Sequence, residues 1–265
     1  MPEHILSLSY GKDSMACFGA CELLGWPIDR VVTAEVWATD TIPADLPPMV
    51  EFKAKADEII KERWGIEVEH VCAMRDGKKI TFESTFYRRR SERSNRAGEI
   101  WGWPWQRGAW CNSELKMPPL NVLEKSQNIV YVGIAADEPS RYHSLSAAKR
   151  SPLVKAGWTE ADCWKWCEEN DLLSPIYKTA TRGGCWFCHN QGVGQLRLLR
   201  KNYPEYYWAL MLRWDADSPV TFKADGHTLH DFDKRFRLED EGYISADDKV
   251  FRWEMLDMEL NMRWF

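Results

Sequence analysis

Apolar residues recur with two different periods along the first half of the chain. Short apolar, β-branched runs predict strands at residues 5–9, 30–37, 66–71 and 129–134. Apolar residues at helical spacing predict helices between these strands, at residues 14–24, 50–64 and 115–125. Strands that alternate with helices favour an α/β fold, in which a parallel, twisted sheet carries helices on both faces.

The pattern changes after about residue 150. There we expect helices and loops, with one helix that starts at a capping box from Thr159 to Asp162 and a second helix at residues 205–214. An insertion at residues 75–112, rich first in Arg and then in Trp, separates the third predicted strand from the fourth. We therefore predict an α/β domain at residues 1–150, which includes the insertion, and a helical, Cys-rich region at residues 151–265.

Composition and charge limit the class of protein. The chain has 265 residues and a net charge of −5, so it lacks the basic character of a general nucleic-acid coat. We see no secretory signal and no apolar run near the roughly 18 residues that a membrane span needs. We expect a cytoplasmic protein that binds no membrane and keeps its thiols reduced. The 8 Cys then favour metal binding, catalysis or burial, and most of the 15 Trp are expected in the core or on half-buried surface.

The segment SLSYGKDS, from Ser7 to Ser14, connects the first predicted strand to the first predicted helix. A turn at this position points backbone N–H groups and the positive end of the helix at an anion. Gly11 permits close approach of the backbone, Ser9 and Ser14 offer hydroxyl groups, and Lys12 adds a charge that suits phosphate. Because the Walker pattern of ordinary NTPases is missing, the sequence predicts a phosphate-binding loop of another kind.

This loop resembles the pyrophosphate loop of the N-type ATP pyrophosphatases, which is written SGGxDS. Ser9, Gly11, Asp13 and Ser14 match that pattern, whereas Tyr10 replaces the first inner glycine. The resemblance implies that the residues from Ser9 to Ser14 bind the nucleotide. It also implies catalytic roles for Asp13 and for its neighbour Lys12.

Two further segments are similar to the same superfamily. Asp40 follows the second strand, where members often carry an acidic residue near the adenosine. The segment GIAADEPSR, from Gly133 to Arg141, resembles the G-I-x-x-D-E-x-x-R element of the phosphoadenosine phosphosulfate (PAPS) reductase family. Carboxylates at the carboxyl end of a strand can hold Mg²⁺, and an arginine can grip a phosphate. The resemblance implies nucleotide binding by Asp40, Gly133, Glu138 and Arg141 and a catalytic role for Asp137.

Cysteines at metal-binding spacing form the third signal. Cys185 and Cys188 make a CxxC turn, which can bind one ion from one turn, and Cys163 and Cys167 stand one helical turn apart, so either could face it. Cys111 lies in WCNSELK, which resembles a W-C-T-x-x-L-K element of the family, and the resemblance favours Cys167 over Cys163. The predicted ligands are Cys111, Cys167, Cys185 and Cys188. Spacing leaves Zn²⁺ and a [4Fe–4S] cluster both open, with a redox-active CxxC and inert buried thiols as alternatives.

Five arginines lie between Arg88 and Arg96, and Trp101, Trp103 and Trp105 follow them. Basic residues next to aromatic ones can hold a nucleic acid through phosphate contacts and base stacking. A solvated Arg-rich loop beside a hydrophobic plug is the alternative interpretation.

Over about residues 1–195, these motifs resemble the PAPS reductase-like branch of the adenine nucleotide α-hydrolase superfamily. The resemblance implies a five-stranded parallel sheet that binds ATP or an adenylated sulfur compound at the carboxyl ends of its strands. True PAPS reductases carry a C-terminal E-C-G-x-H motif, whereas the tail from Asp231 contains no Cys. We therefore expect an ATP pyrophosphatase that uses Mg²⁺, adenylates an acceptor and releases pyrophosphate, for sulfur transfer or a related modification.

Two other functions stay open at this point. One is a reductase of PAPS or its unphosphorylated relative, and the other is a nucleotide- or nucleic-acid-binding module without turnover. The expected partners are an adenine nucleotide, a nucleic-acid substrate through Arg88–Arg96, and a sulfur-donor protein or a second copy of this chain in a homodimer.

Overall fold

The structure is a computed structural model that describes residues 2–104, 109–124, 127–178 and 183–258. The chain divides into two compact units. The first unit contains Met1–Thr85 and Trp110–Trp186, and the second contains Phe86–Ala109 and Phe187–Phe265. The division expected at residue 150 therefore differs from the observed one, because the helices that follow it pack into the first unit. No helix of the described residues is long and apolar enough to cross a membrane.

The first unit is built on a five-stranded sheet in which all paired strands are parallel. In chain order the strands of this sheet are β1 (His4–Leu8), β2 (Arg30–Glu35), β3 (Val68–Cys72), β6 (Ile129–Tyr131) and β7 (Lys149–Arg150). Two further short strands, β4 (Met74–Arg75) and β5 (Lys78–Lys79), form a separate antiparallel hairpin. The sheet has the order β3-β2-β1-β6-β7. The predicted parallel α/β fold is confirmed. The apolar pattern did not predict β4, β5 or β7, because two residues are too few to show a period.

Helices flank this sheet and cover it on two faces. They are α1 (Lys12–Leu24), α2 (Pro47–Trp64), α3 (Phe82–Phe86), α4 (Met117–Asn121), α5 (Pro139–His143), α6 (Pro152–Ala156) and α7 (Glu160–Glu169). Side chains alternate between the faces of a strand. Leu6 of β1 accordingly joins a core cluster with α1, α2 and α7, whereas Ile5 joins another cluster with Leu123.

The helix predicted at residues 115–125 is broken into three short pieces. A π-helical turn, Asn112–Lys116, precedes α4, and a 3₁₀ turn, Val122–Glu124, follows it. Two prolines, Pro118 and Pro119, lie in the first turn of α4. Proline has no N–H group and is tolerated at the start of a helix but not in its interior, so a new helix has to begin there.

The capping box predicted at Thr159 is confirmed at the start of α7, where the Thr159 side chain accepts a hydrogen bond from the Asp162 N–H group. Helix α7 then packs against α1 through its buried residues Cys163 and Cys167. Gly19 of α1 permits this contact, since a Cβ atom there would lie 2.3 Å from Nε1 of Trp166.

The second unit is helical. Its helices are α8 (Val193–Asn202), α9 (Ala209–Asp217) and α10 (Leu229–Asp240), with a π-helical turn at Pro204–Trp208 before α9 and a 3₁₀ turn at Trp253–Met258. Its core contains Trp103 and Trp214, which are both fully buried. The Trp103 indole donates to the buried carboxylate of Asp215 at 2.9 Å. Only Cys188 among the eight cysteines belongs to this unit, so a Cys-rich character is not what distinguishes it.

Candidate functional site

The site begins where the order of the strands reverses. From β1 the chain runs through β2 to β3 on one side, whereas β6 and β7 lie on the other side of β1. In open parallel sheets the loops that follow the two central strands separate at such a point and leave a crevice for a ligand. Here those loops are Ser9–Gly11, after β1, and the segment from Gly133 to Glu138, after β6.

The loop after β1 is closed by its own serines. The Ser9 N–H group donates to Oγ of Ser14 at 3.1 Å, and the two serine hydroxyl oxygens are 2.9 Å apart. Oγ of Ser14 donates in turn to the carbonyl of Gly11 at 3.0 Å. Gly11 is the N-cap of α1, so the positive end of that helix faces the crevice. The hydroxyl of Tyr177, which sequence analysis missed, accepts from the Lys12 N–H group at 2.9 Å.

A cavity of about 370 Å³ opens beside this loop. Of the predicted nucleotide-binding residues, those from Ser9 to Gly11, Asp13, Ser14, Gly133 and Arg141 line it. Lys53, Lys116 and Tyr177 also reach it. The cavity has a size that accepts small ligands, and its three basic side chains and the helix N-terminus suit an anion, while Asp13 and Asp45 line it as well.

Lys12 is oriented differently from the prediction. It is absent from the described residues that line the cavity, and its side chain is only 10% exposed. Its Nζ atom lies 2.6 Å from Oδ1 of Asp13 and 3.4 Å from Oε2 of Glu160. Burial lowers the pKa of Lys12, but the hydrogen bond and the charges of these carboxylates outweigh it and raise the pKa. Lys12 thus links the loop to the start of α7 as a charged group.

Three carboxylates meet next to that lysine. Asp13, Glu138 and Glu160 bring their oxygens within 4.8 Å of one another. Burial raises the pKa of Asp13, Lys12 opposes the shift, and the charges of Glu160 and Glu138 add to it. Glu160 was missed by sequence analysis because an acidic residue in the first turn of a helix is ordinary. Carboxylate oxygens in such a group are the donors that Mg²⁺ takes.

The segment after β6 contributes through Gly133, Glu138 and Arg141. Nη1 of Arg141 donates to both oxygens of Glu138, at 2.6 and 2.8 Å. Asp137, the predicted catalytic residue, is exposed and accepts from the N–H group of Glu160 at 3.1 Å. It therefore holds the start of α7, whereas its neighbour Glu138, which was predicted to bind the nucleotide, lies beside Asp13.

Asp40 does not reach the cavity either. It is exposed, and its backbone carbonyl accepts from Nζ of Lys79 at 3.3 Å. Asp45, five residues later, is the acidic residue of this loop that lines the cavity, and it pairs with Lys53 at 2.5 Å. A Pro-rich loop has no period that fixes where its side chains point, so the sequence does not distinguish Asp40 from Asp45.

The predicted cysteine ligands fall into different surroundings. Cys167 is fully buried between α7 and α1, and its Sγ atom donates to the carbonyl of Lys12 at 3.2 Å. Burial raises the pKa of Cys167 to about 12. Among the described residues of the first unit, Cys111, Cys167 and Cys185 form no group of ligand atoms within 4.8 Å. Cys163 is buried in the same core as Cys167.

The two halves of the CxxC motif are held by different partners. In the first unit, Nε1 of Trp186 donates to the carbonyl of Pro43 at 2.9 Å, and Cys185 lines the cavity. In the second unit, Nζ of Lys223 donates to the carbonyls of His189 and Gln191, at 2.6 and 2.5 Å. The boundary between the units falls between Trp186 and Phe187, inside the motif.

The arginines of the predicted nucleic-acid patch are largely engaged within the second unit. Their partners are Gly98 for Arg89, Trp101 for Arg90, and Glu99 and Pro219 for Arg96. The guanidinium of Arg88 lies 4.9 Å from the ring centre of Trp101, Arg93 is exposed, and Trp103 is in the core. These contacts favour the Arg-rich loop beside a hydrophobic plug. Trp105 lies outside the described residues.

Comparison with known proteins gives one partial match. No family model and no solved structure matches the chain. The chain is similar to an uncharacterized protein of Methanocaldococcus jannaschii, at 28% identity over 121 residues. The match covers 39% of this chain and 29% of that protein, so the chain spans less than a third of its relative. The function has to be argued from the site itself.

Proposed function

We propose that this chain binds ATP together with Mg²⁺ and transfers the adenylyl group to an acceptor, with release of pyrophosphate. The observation that carries the proposal is the loop from Ser9 to Ser14, at the N-terminus of α1 and at the reversal of the strand order. Helix N-termini at such points bind phosphate groups through backbone N–H donors. The resemblance to the pyrophosphate loop supplies the type of reaction, and the geometry supports the anion site.

In the proposed reaction an oxygen of the acceptor attacks the α-phosphorus of ATP. The bond between that phosphorus and the oxygen that bridges it to the β-phosphorus breaks, and the electron pair leaves with pyrophosphate. The N-terminus of α1 and the backbone at Gly11 would stabilise the charge that develops on the leaving group. Lys116 and Arg141, which line the same cavity, would bind further phosphate oxygens or an anionic acceptor.

The cluster of three carboxylates at the loop suits Mg²⁺. Asp13 and Glu138 offer hard oxygen donors at the loop, and Glu160 lies beside them. The bound ion would neutralise phosphate charge, which is the chemistry that Mg²⁺ supplies to such reactions. Lys12, in contrast to the role that the resemblance implies, holds Asp13 and Glu160 in place as a positioning residue.

For the thiol site, we keep the proposal of Zn²⁺ or an iron–sulfur cluster at the CxxC motif of Cys185 and Cys188, with Cys111 as a further ligand. Thiolates suit both metals. Cys167 does not fit, since it is a buried thiol bonded to a backbone carbonyl. No step of the proposed reaction depends on this metal.

The proposal is tested with ATP labelled on the α-phosphate, Mg²⁺ and candidate acceptors, including nucleic acids. Transfer of the labelled AMP with release of pyrophosphate is the expected result. Formation of ADP and phosphate, or no binding of ATP or pyrophosphate, would overturn the proposal. Thiol-dependent release of sulfite from PAPS would indicate a reductase instead, and tight binding without products would indicate a binding module.

A matched pair of variants separates a specific effect from a general one. Asp13→Asn should abolish binding that depends on Mg²⁺, because it removes one of three adjoining carboxylates. Asp40→Asn makes the same chemical change at an exposed residue outside the described cavity lining, and should behave as the wild type. Equal behaviour of the two variants would contradict the assignment of Asp13.

A further inference from the structure

Tyr10 occupies an unusual place in the loop. It is only 1% exposed and has a φ angle of +55°. A positive φ in this range favours glycine, because a Cβ atom crowds the backbone there. The SGGxDS pattern, which the loop resembles, has glycine at this position. In this chain a tyrosine, which has a large side chain, stands at a position where the backbone conformation favours a residue without a Cβ atom.

Polar residues on α2, β3 and β2 connect the side chain of Tyr10 to the rest of the first unit. Its hydroxyl donates to Oδ1 of Asp57, on α2, at 2.6 Å. Oδ2 of Asp57 lies 2.9 Å from Nε2 of His70, on β3. Nδ1 of His70 lies 2.8 Å from Oε1 of Glu35, at the end of β2. A chain of polar contacts thus runs from the loop through α2 and β3 to β2, and its members are spread over 60 residues of sequence.

A further contact fixes the ring of Tyr10. Nζ of Lys53 lies 5.1 Å from the ring centre of Tyr10, which is within the range of a cation–π contact. Burial, followed by the hydrogen bond and the charge of Asp57, raises the pKa of Tyr10 well above its usual value. The hydroxyl therefore stays protonated and acts as the donor to Asp57. An unfavourable backbone angle persists only when its surroundings determine it this strongly, and such residues gather at ligand sites.

We propose that Tyr10 is a positioning residue, which holds the loop in its anion-binding conformation through Asp57, His70 and Glu35. Glycine at this position would allow the loop to adopt the same angle, but it would also allow many others. The anchored tyrosine limits the loop to one conformation before the ligand arrives, and so reduces the entropy that binding has to remove. This inference rests on the proposed function in one respect, the assumption that the anion is the phosphate chain of ATP.

A positioning role for Tyr10 predicts that its loss affects the binding of phosphate groups and not that of adenosine. The loop faces the phosphates, so a loosened loop should weaken ATP and pyrophosphate while it leaves adenosine unaffected. Tyr10→Phe keeps the ring and removes only the bond to Asp57. We expect about tenfold weaker binding of pyrophosphate and of ATP with Mg²⁺ by calorimetry, the loss that corresponds to one hydrogen bond to a charged group. Hydrogen–deuterium exchange at the amides of residues 9–14 should become faster.

Tyr87→Phe is the matched control. The hydroxyl of Tyr87 donates to Asp217 at 2.6 Å, the same kind of bond at the same length, but in the second unit. We expect wild-type affinities and wild-type loop exchange in this variant. At Asp57, the Asn variant keeps an oxygen that accepts from Tyr10, so Asp57→Asn should lose less pyrophosphate affinity than Asp57→Ala.

Each outcome decides one question. Unchanged loop exchange and unchanged pyrophosphate affinity in Tyr10→Phe would overturn the positioning role. Equal losses for adenosine and pyrophosphate would also overturn it, because they would indicate general destabilisation. If the wild type binds neither ATP nor pyrophosphate, the proposed function fails, and the exchange comparison still decides whether Tyr10 holds the loop.

Discussion

The contact between Gly133 and the first turn of α1 gives the sharpest prediction. Gly133 follows β6 and lines the cavity. A Cβ atom at this position would lie 2.4 Å from the N atom of Ser14 and 2.6 Å from the carbonyl carbon of Asp13. Both neighbours are backbone atoms, so neither can avoid the methyl group by changing a rotamer. Gly133→Ala has to separate the two segments.

The size of that separation follows from the distance. Ordinary contacts of a Cβ atom begin at 3.4 Å, so α1 and the loop must move by about 1 Å relative to β6. Overpacking of this kind costs about 1–3 kcal/mol of the free energy of unfolding. We therefore expect Gly133→Ala to fold with reduced stability and to lose most of its affinity for pyrophosphate.

Urea denaturation gives the free energy of unfolding, and calorimetry gives the affinity for pyrophosphate and for ATP with Mg²⁺. Gly194→Ala, in α8, makes the same substitution where an added Cβ atom meets nothing within 4 Å. It should retain its binding and gain up to about 1 kcal/mol, since alanine favours the helix. Wild-type stability and affinity in Gly133→Ala would show that the two segments accommodate the methyl group without separating.

Three further predictions concern charged and thiol groups. Lys12→Met should lower the free energy of unfolding in urea by about 1–3 kcal/mol at pH 7, because Asp13 loses its partner in a largely buried pair. Cys167→Ser should retain the bound metal that elemental analysis finds in the wild type, whereas Cys188→Ser should lose it. Burial raises the pKa of Cys21 and of Cys167 to about 12, so the free energy of unfolding in reducing buffer should fall above about pH 8.5 by about 1.4 kcal/mol per pH unit for each thiol.

The sign of the alkaline effect follows from proton binding. Between about pH 8.5 and 12 the unfolded thiols have ionised while the native ones remain protonated, so unfolding releases protons and a rising pH promotes it. Below about pH 8.5 the buried thiols make their full contribution to the free energy of unfolding. A slope that does not change when Cys167 is replaced by Ser would contradict this account. Loss of the metal in Cys167→Ser would indicate that Cys167 is a ligand. Wild-type stability of Lys12→Met would show that the ion pair contributes little to the free energy of unfolding.

The sequence predicted four of the five strands of the sheet, and the loop, because these depend on local pattern. The apolar run before Ser9 makes β1, the helical period after Gly11 makes α1, and the turn between them follows from those two elements. Gly133 was named because it follows an apolar strand, and the structure adds the reason that glycine is needed, the backbone of Ser14 at 2.4 Å.

The residues that were missed or misplaced depend on tertiary contacts. Asp137 and Glu138 are neighbours, and only the path of the chain after β6 decides which of them faces Asp13. Glu160 and Tyr177 come from segments about 150 residues away from the loop and have no motif of their own. Spacing favoured a residue of α7 as a metal ligand, yet the same face of α7 is the one that packs on α1.

Lys12 shows what this difference means for the chemistry. A lysine in a phosphate loop is expected to bind phosphate directly, but here its Nζ atom is engaged by Asp13 and Glu160. If Lys12 moved away to bind the ligand, Asp13 and Glu160 would lose its positive charge, and their carboxylates would repel the phosphates. In the proposed function, the ion pair would favour anion binding indirectly, by neutralising the carboxylates, and the backbone of the loop would make direct contacts together with Lys116 and Arg141. The backbone contacts would depend on the shape of the loop, which the proposed role of Tyr10 and the close approach of Gly133 would maintain.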